Sequence, residues 1–432
     1  MIKINITILI FLMTISVQIN ATVWNEQAQL VADISLDGTG DNDEFGSAVA
    51  MDANIIVVGA KANDPVAANS GAAYVYLVNE ATGLTTEIAQ LVVSNGTSSD
   101  LLGSSVAIDG DVIVVGAYQA YSNDQGRAYI FEKPESGWAG VLNESAILQA
   151  SNRGSNDEFG FSVDIDFETI VVGARGEDEA SGAAGALYVF EQPNDGWSGV
   201  LEEDAKLIPS VSQGNNGYLG RSVSIEGDVI VSAAYLATVN GNDDQGHGYV
   251  FVKPQAGWSG TLTESAELLA SDGQQFDKLG ISVDMDNGTI VLGAYLAEPP
   301  GSNSNQGAAY VYTQPNGGWS GTIFESAILV SSKPGNNEEL GFAVSMHKNT
   351  IAVGTGGYDR TYIFTEPDTG WTDTITETNL IQEDASGDND FGKSVAVYNN
   401  RVVVTALLDD DLHTNAGKAY VYIDEIFKNG LE

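Results

Sequence analysis

Apolar and polar positions along this chain repeat in one order seven times. The unit is a 16-residue block without gaps, such as FGSAVAMDANIIVVGA at 45–60 and LGSSVAIDGDVIVVGA at 102–117. It recurs at 159–174, 219–234, 279–294, 340–355 and 391–406. The first half carries small residues and one fixed valine: Val49, Val106, Val163, Val223, Val283, Val344 and Val395. A short polar turn such as Asp109-Gly110-Asp111 follows, a composition that favours tight reversal. The second half is a β-branched run without polar alternation, as in 55–58, which predicts a strand buried on both faces. Each block therefore reads as a β-hairpin.

Two further segments complete the unit. A third strand of the form GAAYVY or GRAYIF begins at Gly71, Gly126, Gly185, Gly246, Gly307, Asp359 and Gly417. A fourth, such as ESAILQAS from Glu144 or ESAELLAS from Glu264, comes next. Between them, five units carry an aromatic, then Pro, then Gly-Trp, as in FEKPESGW and FVKPQAGW. One repeat is thus a four-stranded antiparallel meander, and seven such units fit an all-β, seven-bladed propeller. Two packed sheets or a solenoid are the alternatives, and unit length and strand count argue against both. The Phe or Leu before each block glycine is expected to wedge between blades. The recurring Tyr and Trp are expected to pack rather than to stack on sugars, because they return at one position in unit after unit.

The last unit supplies three strands, and QAQLVAD at 27–33 matches the fourth-strand pattern. We therefore expect the N-terminal strand to close the seventh blade in a 3+1 arrangement, since an open ring would leave exposed sheet edges. Residues 1–21 read as a secretion signal: Lys3 gives a positive start, 6–17 is mainly apolar, and Ala21 fits a cleavage site. The propeller then occupies 22–432, with no membrane insertion once the signal is removed.

Composition narrows the function. Of 432 residues, 59 are acidic and 17 basic, for a net charge of −42, and there is no cysteine. Such a field repels nucleic acid and anionic lipid and favours cations. The absence of cysteine excludes disulfides, thiolate zinc sites, iron–sulfur clusters and a cysteine nucleophile.

The blocks resemble the FG-GAP repeat, found in the β-propeller of integrin alpha chains and in many secreted bacterial proteins. The Phe-Gly pair stands at Phe45-Gly46, Phe159-Gly160 and Phe391-Gly392, with Leu in place of Phe in the other four units. The Gly-Ala pair stands at Gly59-Ala60, Gly116-Ala117, Gly173-Ala174 and Gly293-Ala294, without the proline that follows it in the family pattern. The resemblance implies the propeller fold over about residues 26–424 and says little about function. Integrin-type repeats often hold Ca²⁺ in an Asp-rich loop between strands one and two. Here that connection is a tight turn in all seven units, so those metal sites do not carry over.

Catalytic signatures are sparse. The three histidines, His247, His347 and His413, fall in different units with no HExxH spacing, and His347 is expected to be solvated in a hairpin turn. No nucleophile elbow, phosphate loop or dinucleotide fingerprint stands in a strand–helix context. The loops carry more. In a meander the 2–3 and 4–1 loops share one face, and these are acidic, rich in Gly and Asn and variable in length. Such loops on a rigid repeat frame are where binding usually lives. Within them, Asp37, Asp41 and Asp43 alternate oxygen ligands suited to Ca²⁺. Tyr118, Tyr235, Tyr295 and Tyr358 are aromatic loop residues suited, with neighbouring acids, to a polar ligand or a basic peptide.

The resulting expectation is a secreted, monomeric, non-catalytic propeller. It binds an extracellular protein or glycan at the cell surface, in adhesion or recognition, with Ca²⁺ as an accessory ion. A glycan hydrolase or lyase with paired carboxylates, or a scaffold without a ligand of its own, are the alternatives.

Overall fold

Each block folds as the expected hairpin, and the computed structural model arranges seven sheets in a ring. It describes residues 24–30, 42–80, 82–121, 123–178, 182–210, 217–299, 304–382, 389–410 and 414–424. The signal segment 1–21, and Asp37 and Asp41, lie outside the described residues. Blade one shows the plan: Phe45–Asp52, Ile55–Ala60, Ala72–Val78 and Thr85–Val92 run antiparallel from the axis outward. No helix among the described residues is long and apolar enough to cross a membrane.

The ring closes as the sequence predicts. Trp24–Leu30 pairs antiparallel with Lys418–Asp424 and becomes the outermost strand of blade seven. A bulge between Glu26 and Ala28 keeps Leu30 in register with Ala419, where it is 1% exposed.

The buried residues form clusters at the blade interfaces. One joins Val114, Ile130 and Leu148 of blade two to Phe159, Val172 and Tyr188 of blade three. Phe159 is the residue before the block glycine; its ring meets Tyr188 of its own blade edge-on at 5.4 Å and shares this cluster with blade two, so the wedge reading holds. The glycine itself is required by close approach. Gly103 has φ +94°, and a Cβ there would lie 2.2 Å from the Ala72 carbonyl oxygen. A Cβ on Gly59 would lie 1.9 Å from the Gly103 carbonyl oxygen of the next blade. A methyl group at either place would force blades apart.

One feature exceeds the four-strand expectation. Blades one to five each gain a fifth strand, donated by the next blade and paired in parallel. The donors are Gly140–Asn143, Gly199–Glu202, Gly260–Leu262, Gly321–Phe324 and Asp373–Thr376. Each lies just after a Gly-Trp element. The Pro-x-x-Gly turn before it is closed by a hydrogen bond, 2.8 Å from the Gly137 amide to the Pro134 carbonyl. The chain then crosses to the neighbouring sheet while the tryptophan plugs the interface: Trp138, Trp197, Trp258, Trp319 and Trp371 are 2–6% exposed. The tryptophans thus pack, as expected, and the five units that carry Gly-Trp are the five that donate.

Candidate binding face and central channel

The innermost strands surround an axial channel, and the fixed valines explain themselves there. Val49, Val106, Val163, Val223, Val344 and Val395 line both of the channel's cavities, which lie on the two sides of this apolar collar. The two ends differ in chemistry.

The hairpin end holds a cavity of about 350 Å³ rimmed by Asp52, Asp109, Asp166 and Asp286. These carboxylates are structural. Asp52 accepts from the Gly110 amide at 2.9 Å, Asp109 from Phe167 at 2.6 Å and Asp166 from Gly227 at 2.6 Å, each in the following blade. His347 is half-buried against the Tyr398 ring at 4.5 Å instead of solvated, and burial pushes its pKa down. Deeper in this cavity, Asp164 and Asp284 flank Ser224. All four of their carboxylate oxygens accept hydrogen bonds, from the amides of Ile165, Ile225, Met285 and Met346 and from the Ser224 hydroxyl. Burial still dominates and raises Asp164 to about 7 and Asp284 to about 6. In blades seven, one and two the same level carries Ala396, Ala50 and Ala107.

The opposite mouth, on the face of the 2–3 and 4–1 loops, is a cavity of about 250 Å³. Ser104, Phe161, Arg221, Ile281, Phe342 and Lys393 line it. Each is the residue immediately after a block glycine. Aromatic and cationic side chains alternate around this mouth. Tyr118 meets Phe161 at 5.1 Å, the Arg175 guanidinium lies 3.6 Å from the Phe161 ring centre, and Arg221 lies 5.6 Å from Phe161 and 5.3 Å from Tyr235. Tyr295 meets Phe342 at 5.7 Å, and Lys393 lies 4.5 Å above Phe342. Lys278 donates to the Tyr295 hydroxyl at 3.2 Å.

Five of the chain's 17 cations gather here, although the chain as a whole carries −42. Three have carboxylate partners: Lys61 pairs with Glu44 at 2.8 Å, Arg175 with Glu158 at 2.5 Å and Lys393 with Asp390 at 3.5 Å. Arg221 and Lys278, in adjacent blades, form no ion pair among the described residues. The Arg221 Nε is buried without a hydrogen-bond partner. Burial and the nearby Arg175 charge both weigh against its protonated form. Burial also raises the pKa of Tyr118 and of Glu339, and Lys393 and Lys278 oppose the shift at Glu339.

Of the four tyrosines singled out from the sequence, Tyr118, Tyr235 and Tyr295 belong to this mouth. Tyr358 does not join them: it is 42% exposed and donates to the Asn336 carbonyl of its own blade's 4–1 loop at 3.2 Å. Asp43 is 4% exposed. It sits at the repeat position where Asp100, Asp157 and Asp277 accept from an amide three residues upstream and shape the 4–1 loop. Sequence reasoning missed Phe161, Arg221, Phe342 and Lys393. The available signal was variability: the residue after the block glycine changes in kind from unit to unit inside an otherwise constant motif.

Comparison with known proteins agrees with this architecture. The C-terminal WD40 domain of Sif2 superimposes with a TM-score of 0.50 at 12% identity, over 93% of this chain and 99% of that one, which is a likeness of fold alone. No curated protein matches the sequence. The family model for the FG-GAP repeat matches residues 24–76, 85–131, 142–190, 262–312 and 375–422, more than half of the chain. With its repeated Phe/Leu-Gly hairpins closed into a seven-bladed ring, this chain belongs to the FG-GAP repeat family.

Proposed function

We propose that this protein is a secreted, monomeric, non-catalytic recognition propeller that binds an extracellular protein or glycan through its 2–3 and 4–1 loop face. The observation that supports this reading is the aromatic and cationic mouth centred on Arg221, Tyr235 and Tyr295. Clustering cations against the trend of a −42 chain leaves side chains whose natural counter-charge is a ligand. Aromatic faces beside them add contact area at little conformational cost.

The glycan-hydrolase alternative has one observation in its favour, the raised carboxylates Asp164 and Asp284. Their oxygens are all engaged in inter-blade or local hydrogen bonds, which suits a structural role better. Ca²⁺ at the segment containing Asp37, Asp41 and Asp43 remains part of the proposal. Equal melting temperatures in EDTA, Mg²⁺ and Ca²⁺ at fixed ionic strength would remove it.

The test is a glycan and extracellular-protein array, followed by two variants against any ligand found. Replacing Tyr235 and Tyr295 with Ala should abolish binding. Replacing the hairpin-end residue Lys133 with Gln should leave it intact. The reverse result would place the ligand on the other face.

A further inference from the structure

Resting on that reading, we propose that the loop-face mouth recognises a single carboxylate carried on a sugar, an isolated uronic acid residue within an otherwise neutral glycan. Arg221 and Lys278 supply the charge, and Tyr235 and Tyr295 form the flanking walls.

Four features of the site lead there. First, Arg221 and Lys278 lack a carboxylate among the described residues, while the other three cations of the mouth have one. Glu339 is near enough for Lys393 and Lys278 to oppose the upward shift that burial gives its carboxyl, but among the described residues it forms no ion pair with either. Second, the Arg221 Nε is a buried donor with nothing to donate to. Arg221 lines the mouth, and a guanidinium presents a planar fork of donors matched to a carboxylate.

Third, size excludes large ligands from the mouth itself. At about 250 Å³ it lies below the ~300–1,000 Å³ of sites that enclose a drug-sized molecule, so it seats one ring-sized group. Phe161 and Phe342 line it, Tyr295 packs on Phe342 and Tyr235 stands beside Arg221, so aromatic carbon borders the seat for a pyranose. Fourth, the charge of the whole chain selects against dense polyanions. At physiological salt the screening length is ~8 Å, so an acid at the mouth feels Arg221 and Lys278 first. A polymer charged at every residue would also lie along the acidic loops and be repelled. One acid in a neutral chain gains the local attraction without that penalty.

The experiment compares matched probes by calorimetric titration of the full-length protein at 0.15 M salt. The first is a neutral oligosaccharide bearing one uronic acid. The second is the same oligosaccharide with that acid reduced to the neutral sugar. The third is a peptide with a free C-terminal carboxylate. We expect binding of the first only, weakened at least tenfold by Arg221→Gln or Lys278→Gln. Arg221→Lys should retain part of the affinity, and Lys133→Gln all of it. Melting temperatures of each variant separate lost binding from lost folding. Equal binding of the acid and its reduced form would overturn the carboxylate inference while leaving the face intact. Binding of the peptide alone would overturn the sugar assignment. Array ligands that survive both the tyrosine and the Arg221 substitutions would overturn the proposed binding face as well.

Discussion

Glu325, which leads into the fourth strand of blade five, accepts two hydrogen bonds from Ser271 of blade four, 2.9 Å from its amide and 2.5 Å from its hydroxyl. The same clamp joins Glu144 to Ser94, Glu203 to Ser151, Glu264 to Ser210 and Glu377 to Ser332. Each clamp sits where a donated strand returns to its own blade. Among the described residues blades six and seven receive no fifth strand, and in sequence register their serine is replaced by Asp384 and Asp33, which lie outside the described residues.

Breaking one crossing should loosen one interface. Trp258→Ala empties a site that is 3% exposed and should cost about 3–5 kcal/mol in urea unfolding. Glu325→Ala, at an exposed clamp, should cost about 1 kcal/mol. A tryptophan variant within ~0.5 kcal/mol of the parent would show that donation contributes little.

Removing the closing strand should be more severe. Deleting residues 22–34 takes away the partner of Lys418–Asp424 and bares its hydrogen-bonding edge. The truncated chain should melt well below the parent and aggregate on heating. Matching melting curves would contradict closure by this strand.

Stability should fall with rising pH across the neutral range. Asp164 and Asp284 titrate near 7 and 6 in the folded protein, above their ordinary value near 4. Asp277 is likewise raised, to about 7, by burial. Between the unfolded and folded values the native state holds more protons, so unfolding free energy declines as pH rises. The stability these groups lend is complete below about pH 4 and is lost as pH passes through about 6–7. The melting temperature should be higher at pH 5 than at pH 8. The slope should shrink in the Asp164→Asn/Asp284→Asn double variant. An unchanged slope in that variant would assign the effect to general charge repulsion.

The block glycine should resist replacement. Gly103→Ala introduces a Cβ 2.2 Å from a backbone oxygen at a positive φ, so at least one blade must shift. We expect a loss of about 3 kcal/mol or more, or failure to fold. Gly110, with open space around it in a hairpin turn, should tolerate Ala with a loss of about 1 kcal/mol. Equal costs at the two positions would show that inter-blade crowding is not what selects glycine.

The sequence by itself determined the repeat, the blade count, the hairpin and the closing strand. Each of these is set by local pattern: a turn between two apolar runs, a glycine where blades meet, a fourth-strand motif displaced to the N-terminus. It also placed Tyr118, Tyr235 and Tyr295 on the face of the 2–3 and 4–1 loops, because loop alternation in a meander follows from strand count alone. What it did not disclose depends on distance in space between residues far apart in the chain. Donation of Gly321–Phe324 to blade four is a pairing across a blade boundary: the Gly-Trp element marks the units that donate, but not the neighbouring sheet that receives the strand. Arg221 reads as one cation in an acidic chain. The hairpin of its own blade sets it within 5.3 Å of Tyr235, and the packing of adjacent blades sets it beside Phe161, with no ion pair among the described residues. Closing the ring brings one residue from every blade to a common axis, and the chemistry of that axis belongs to the tertiary structure because no single repeat contains it.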